Sequence, residues 1–392
     1  MDPLRNPYQP GAGRRPPAIV GRDAQLQSFA RAIGRCELGF GERGQILSGL
    51  RGFGKTVLLN EFESIAAQRG WVVVKMEAVR GTSAVRLLAG SLHRSLRIAA
   101  GTGGHERIMG LLRVFRSFSM TVDPGGSYSF GVAVDPATGR ADSGDPQADL
   151  VDLVGELGAT MLRLGTGAVL LIDEMQQVRP ADLAAINAAM HAAGQGDQPL
   201  PVLLAGAGLP PLPEVLAAAS SYAERLYEFT TLGPLQRDET FAALAEPAAA
   251  LGVRWSPGAL AAAEAFARGY PYFVQTAGKH VWESAAGDSI TETEAAAGLR
   301  AARREVDAGL YRARWRRASP QQRAAMTAMA GLSEEGGPVR VADVAAAMGK
   351  SAKALASVRE QLLKRGYVYS PERGALAFTV PGMAGFVLRQ QE

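Results

Sequence analysis

The sequence predicts an α/β fold in which a parallel sheet carries a phosphate-binding loop. Three observations carry this. Short apolar runs such as "WVVVKMEA" and "GAVLLIDE" alternate with helical stretches, the rhythm of strand–helix–strand units. The stretch "SGLRGFGKT" (48–56) sets glycines and a Lys-Thr pair between an apolar run and a helical one. A second apolar run ends in two adjacent carboxylates, Asp173 and Glu174, at the edge where parallel sheets hold their ligands.

Taken in order, residues 1–17 are rich in Pro and Gly and predict a flexible arm, disordered or clamping. "GRDAQLQSFARAIGR" is a helix and "GQILSGL" a short strand feeding the glycine loop. From Thr56 to Arg69 a helix is expected, with Val57, Leu58, Phe62 and Ile65 on one side. The strand "WVVVKMEA" and the helix "TSAVRLLAGSLHRSLRIAA" follow. Between about 101 and 147 the rhythm breaks. "SFSMTV" and "SYSFGVAV" alternate around "DPGG", so an inserted β-hairpin is expected. The α/β pattern resumes with "QADLVDLVGELGATMLRL", "GAVLLIDE", "PADLAAINAAMHAAG" and "LPVLLAGAG". Residues 235–314 read as helix throughout, a lid after a core of 18–234. The last segment, 315–392, reads as three short helices and two short strands.

At ~100–200 residues per domain, 392 residues give two or three domains. Apolar residues at 47% and charged residues at 20% are the balance of a globular protein with a real core. One cysteine, Cys36, excludes an intramolecular disulfide and a Cys-rich metal site. The N-terminal stretch has no apolar segment of the kind a leader needs, and no apolar run approaches the ~18 residues of a membrane span. A cytoplasmic protein without membrane attachment is expected. Charge is uneven: residues 311–392 hold 13 Lys/Arg against 6 Asp/Glu, and the rest of the chain 29 against 32. A basic segment on a near-neutral body fits a polyanionic partner or a solvated basic face.

The order Gly49, Gly52, Gly54, Lys55, Thr56 is G-x-x-x-x-G-K-T. Backbone N–H groups of such a loop, here including Arg51, Phe53 and Val57, form an anion nest at a helix N-terminus. Lys55 can reach the β- and γ-phosphates of a nucleotide, and the Thr56 hydroxyl can ligate Mg²⁺. Asp173 would hold Mg²⁺, and Glu174 would polarise the attacking water. The competing readings are a glycine-rich turn with an accidental Lys-Thr and a strand-to-helix turn with Asp173 as N-cap. Two such motifs in one chain argue against both, so the expected cofactors are ATP or ADP with Mg²⁺, and hydrolysis is the expected reaction.

"IVGRDAQL", "GLRGFGKT", "LLIDEMQ", "LLAGAGLP", "YAERLYEF" and "GYPYFVQ" occur in that order. Together they resemble a bacterial ATPase of the AAA+ superfamily, near the origin-recognition initiators and the signalling STAND ATPases. The end, "YVYSPERGALAFTVPGMAGF", is similar to the winged helix those proteins carry. The resemblance covers all but residues 1–17 and the insertion. It implies that Val20, Gly21 and Arg22 pack on the adenine, and that Pro271 opens a lid helix over the base. It implies that Arg225 reaches a γ-phosphate across a subunit interface of a homo-oligomer. The competing reading of Arg225 is a salt bridge with Glu224 or Glu228, and that of Pro271 a simple helix bend. Two departures stand out. The sensor strand, normally ending in a polar residue, offers Ala205, Gly206 and Ala207, and the lid has no clear second-sensor arginine, leaving Lys279 and His280 as candidates. Both imply slow hydrolysis.

A winged helix would read duplex DNA with the helix from Ser351 to Arg365. Lys350, Lys353, Arg359 and Lys364 would meet phosphate, Ser351 and Ser357 would approach bases, and Arg373 would sit at the wing tip. Two functions are therefore expected as alternatives: a nucleotide-switched, DNA-binding ATPase of initiator or loader type, or a signalling or defence switch whose winged helix docks protein. A protein partner is possible at the insertion or at the winged helix.

Overall fold

The computed structural model describes residues 1–100, 105–122, 141–333 and 336–390. The chain divides into two compact units. One comprises Arg22–Gly49 and Lys55–Leu232; the other comprises Met1–Gly21, Leu50–Gly54 and Gly233–Glu392.

The unit ending at Leu232 is a parallel α/β layer structure. Its strands are β1 (Gly44–Gly49), β2 (Val72–Glu77), β3 (Ala168–Asp173), β4 (Val202–Gly208) and β5 (Tyr227–Leu232), in the spatial order β2-β3-β4-β1-β5. Every pairing is parallel. All residues of β1 and β4 are buried, which is why they read as unbroken apolar or small-residue runs. The sequence reading overlooked β5. It is an edge strand whose ends, Tyr227 and Leu232, are buried while the residues between are more exposed, so "YEFTTL" lacks the apolar run of its neighbours. Tyr227 fixes it inside the layer by donating its hydroxyl to Asn187 Oδ1 at 2.7 Å.

The expected strand "SFSMTV" is instead the end of a helix, His105–Val122. Leu111, Leu112, Val114, Phe115 and Phe118 are all buried, and their helical spacing outweighs the local alternation on which the strand reading rested. "DPGG" and "SYSFGVAV" lie outside the described residues.

The other unit holds helices Arg237–Ala249, Pro257–Ala267, Pro271–Ser284 and Glu292–Val306. The stretch from 256 to 285 is two helices, because the chain turns left-handed at Arg268 (φ 49°) and Gly269 (φ 67°) before Pro271 opens the second. Two short strands, β6 (Arg254–Trp255) and β7 (Ser289–Ile290), pair alongside. The first residues of the chain lie on these helices, in the manner of the clamping alternative for this arm and not the disordered one. Tyr8 is buried, donates to Leu244 O and accepts from Trp255 Nε1. Asn6 Nδ2 donates to Lys279 O at 3.0 Å, and Trp282 Nε1 donates to Asp2 O at 3.0 Å. The aromatic burial and these bonds offset the ordering cost of a Pro/Gly-rich segment.

The C-terminal part of the same unit runs Pro320–Leu332, β8 (Val339–Arg340), Val341–Ala347, Ala352–Lys364, β9 (Val368–Tyr369), β10 (Ala375–Phe378) and Met383–Leu388. Its antiparallel sheet has the order β8-β10-β9. The strand β8 and the last helix are additions to the sequence reading. No helix among the described residues is long and apolar enough to cross a membrane.

Candidate nucleotide site

Where β1 ends, the helix Lys55–Gln68 begins. Lys55 is buried, and its Nζ donates to Gly49 O at 2.8 Å, so the ammonium is held over the strand's last carbonyl. The Thr56 hydroxyl donates to Asp173 Oδ2 at 2.6 Å across 117 residues of sequence. Two hard oxygen donors side by side fit a small divalent cation that completes its shell with water and phosphate. No group of three or more His, Cys, Asp or Glu among the described residues could hold a metal.

Past Asp173 the backbone folds back. Glu174 adopts φ 51° and ψ 35°, a left-handed conformation that costs a residue with a Cβ ~1–3 kcal/mol and is characteristic of functional sites. Its own N–H is held by Asp173 Oδ1 at 2.8 Å. Its carboxylate Oε2 accepts from Gln176 Nε2 at 2.6 Å. Lys55, Thr56, Asp173 and Glu174 thus meet at the C-terminal edge of one parallel sheet. All four were picked out from the sequence; Gln176, which contacts Glu174, was not.

The loop tip, Leu50–Gly54, belongs to the other unit. Gly52 and Gly54 have φ 86° and 85°, the region where glycine carries no Cβ penalty. At Gly52 a Cβ would also lie 2.2 Å from the Tyr270 hydroxyl. That hydroxyl donates to Arg51 O at 2.5 Å, and the Tyr270 ring meets Phe53 edge-on at 5.5 Å. Burial pushes the Tyr270 phenol up to about 12, so it remains a donor at neutral pH. The Arg51 guanidinium lies beside Gly366, whose carbonyl accepts from Arg314 at 3.2 Å. Pro271, next to Tyr270, is half-buried at the start of its helix, and Val20, Gly21, Arg22 and Val57 are half-buried too.

The second-sensor candidates are otherwise engaged. Lys279 Nζ and His280 Nε2 both contact Glu305 Oε2, at 2.8 and 2.7 Å. The hydrogen bond to Glu305 holds the Lys279 ammonium above its usual range. Burial alone would raise the Glu305 carboxyl, but its bonds from Lys279 and His280 outweigh that and lower it. This ion cluster joins two lid helices. On the sensor strand, Ala205, Gly206 and Ala207 are buried and present no polar side chain. Arg225 lies on a four-residue helix, Ala223–Leu226, and is exposed. Among the described residues it has no ion pair, with Glu224 and Glu228 included.

A strand order of β2-β3-β4-β1-β5, with the glycine loop after β1 and the paired carboxylates after β3, decides the architecture. The fold is that of an AAA+ P-loop ATPase. Residues 18–204 match the family model of an AAA ATPase domain, and residues 308–387 match a domain of unknown function (DUF8462). Among solved structures, the chain is similar to the Aeropyrum pernix ORC2 protein in its ADPNP–ADP complexes, with a TM-score of 0.57, 14% identity and 97% of each chain covered. It is similar to the Walker-type ATPase paby2304 of Pyrococcus abyssi, with a TM-score of 0.58, 15% identity and 95% and 97% of the two chains covered. At such identities the likeness is one of fold. No curated protein sequence matches the chain.

The expected nucleic-acid residues sit on the helix Ala352–Lys364 and around it. Lys350, Lys353, Ser357, Lys364 and Arg373 are exposed. Ser351 caps the helix, accepting from Ala354 N–H at 3.2 Å, and is exposed. Lys364 pairs with Glu360 at 2.6 Å. Arg359 is half-buried, with an Nε that is shielded and has no hydrogen-bond partner among the described residues.

Proposed function

We propose that this protein is an ATP-binding switch that hydrolyses slowly and binds duplex DNA through its C-terminal helices, folded as a winged helix on residues 315–392. The observation that carries the nucleotide reading is the contact of Thr56 with Asp173 beside buried Lys55. Lys55 would exchange the Gly49 carbonyl for phosphate oxygens. Thr56 and Asp173 would hold Mg²⁺, which neutralises charge on the transferring phosphoryl group. Glu174 would orient the attacking water. Exposed Arg225, with no ion pair among the described residues, supports the reading that it serves a neighbouring copy in a homo-oligomer. The buried apolar end of β4 and the engaged Lys279 and His280 support slow turnover.

The DNA reading rests on the helix–strand–helix–helix–strand–strand order and on the basic excess of residues 311–392. The ORC2 structure similar to this chain bears the name of an origin-recognition protein, which accords with an initiator or loader. A specific observation favours the alternative, a signalling switch that docks protein here. The exposed positions of Ala352–Lys364 include Ala352, Ala354 and Ala356 as well as Lys353 and Lys364, and Lys364 is paired with Glu360.

The test is calorimetry with ATP and Mg²⁺ on the wild type and Lys55→Ala. Tight binding by the wild type that disappears in a folded Lys55→Ala variant supports the nucleotide reading; equal affinity in both rejects it.

A further inference from the structure

The sensor strand β4 brings no polar side chain to the site, yet the carboxylate of Glu174 is not left to itself. Gln176 reaches it from the short turn Met175–Gln177. Its Nε2 donates to Glu174 Oε2 at 2.6 Å, while its Oε1 accepts from the backbone N–H of Leu209, one residue beyond β4, at 3.0 Å. Only one orientation of the amide satisfies both partners, because a carboxylate can only accept and an N–H can only donate. The seat for this amide is made at Gly208. A Cβ there would lie 2.4 Å from Gln176 Oε1 and 2.8 Å from Leu212 Cδ2, so a larger residue at the strand's last position would press on the glutamine amide as seated. The other oxygen of Glu174, Oε1, has no hydrogen-bond partner among the described residues. A carboxylate with one oxygen fixed by a neutral amide and the other available is the arrangement that orienting a water requires.

We propose that Gln176 is the positioning residue for Glu174, supplying from the turn after β3 the polar contact that β4 lacks. The bond chain Glu174–Gln176–Leu209 N–H ties the water-orienting carboxylate to the end of β4, so a shift of that strand end would move the carboxylate. The inference rests on the ATPase reading.

The experiment is steady-state hydrolysis of MgATP by the full chain, with ATP affinity measured separately, for the wild type, Lys55→Ala, Gln176→Ala, Gln176→Glu and Gly208→Ala. Gln176→Ala should lower kcat ~10–100-fold, less than the ~10²–10⁴-fold that a proton-transfer group itself contributes, with ATP affinity within about twofold of wild type. Gly208→Ala, which crowds the amide from the opposite side, should lower kcat in the same sense. Gln176→Glu replaces the amide donor by a second acceptor beside Glu174, so kcat should fall at least as far as in Gln176→Ala, again with ATP affinity little changed. A wild-type kcat in Gln176→Ala, or a loss of kcat matched by an equal loss of ATP affinity, overturns the positioning role. A wild-type kcat in Gln176→Glu overturns it as well. Hydrolysis by wild type no faster than by Lys55→Ala overturns the ATPase reading and the inference with it, and is recognised without any Gln176 variant.

Discussion

The edge of the parallel sheet and the helix Ala352–Lys364 both carry residues with a proposed role, but the two regions are built differently. At the sheet edge each polar group is held by another: Lys55 by Gly49 O, Thr56 by Asp173, Glu174 by Gln176, and Gln176 by Leu209. On the helix the groups stand alone or serve the helix itself, with Ser351 as its cap and Lys364 paired one turn away with Glu360. Phosphoryl transfer needs groups fixed to fractions of an ångström before substrate arrives, and the sheet edge meets that demand. Phosphate contacts to nucleic acid need only mobile cations near a polyanion, and they carry little positional information. Interlocked geometry therefore goes with large effects of single substitutions, and exposed charge with small, additive ones.

Arg225 is the residue that can break this comparison. It is exposed and has no ion pair among the described residues, yet an arginine completing a phosphate site is worth ~10³–10⁵ in rate. Arg225→Ala should lower hydrolysis by about 10³-fold and leave ATP binding intact. Mixing Arg225→Ala with Lys55→Ala should restore part of the activity, since one interface then holds a complete set of groups. The same idea requires specific activity to rise with protein concentration. A concentration-independent rate in the wild type would make Arg225 a surface residue after all. Within the interlocked region, Glu174→Gln should reduce kcat by ~10²-fold or more while ATP stays bound. Single-turnover measurements check this, and parent-like hydrolysis would remove Glu174 from the water-orienting role.

That same contrast explains what could be read from the sequence. The central strands β3 and β4 announce themselves because a strand covered on both faces is apolar along almost its whole length. Lys55, Thr56 and Asp173 are legible because the chemistry tolerates few residue types in that spacing. Gln176 was not, since its meaning depends on the absent side chain of Gly208 and the N–H of Leu209, more than 30 positions away. The docking of Tyr8 on Trp255 joins positions 247 residues apart, so no local pattern records it. The helix His105–Val122 was missed for the opposite reason, a six-residue alternation that a longer helical period overrules.

Tyr8 offers a test of intermediate size. Its burial, its bond from Trp255 and its donation to Leu244 O make it a core residue of the unit that holds the lid helices. Tyr8→Ala should destabilise that unit by ~3–5 kcal/mol, the usual loss for a large buried aromatic. Denaturant unfolding would measure it, and a change under about 1 kcal/mol would return the first residues to the status of a loose arm.

The smallest effects are expected on the helix Ala352–Lys364, and their grading tests whether exposed charge there meets DNA at all. A cation that contacts phosphate releases a counterion, so its loss should flatten the log–log salt dependence of binding by about 0.9. Lys350 and Lys353 are exposed and have no ion pair among the described residues. Replacing both by Ala should therefore reduce the slope by about two and weaken binding to all duplex sequences alike. Lys364 differs, because Glu360 at 2.6 Å already neutralises much of its charge. Hydrogen bonding from Lys364 also holds the Glu360 carboxyl below its ordinary range. Lys364→Ala should change the slope by less than half as much as Lys353→Ala. Fluorescent duplex titrated between 50 and 200 mM salt in the presence of a non-hydrolysable ATP analogue gives all three slopes. Equal slopes for the single variants would mean that the Lys364–Glu360 pair opens on the duplex. Binding no tighter than millimolar at the lowest salt would leave no polyanion for these lysines, and the exposed side of the helix would then be read as a protein dock.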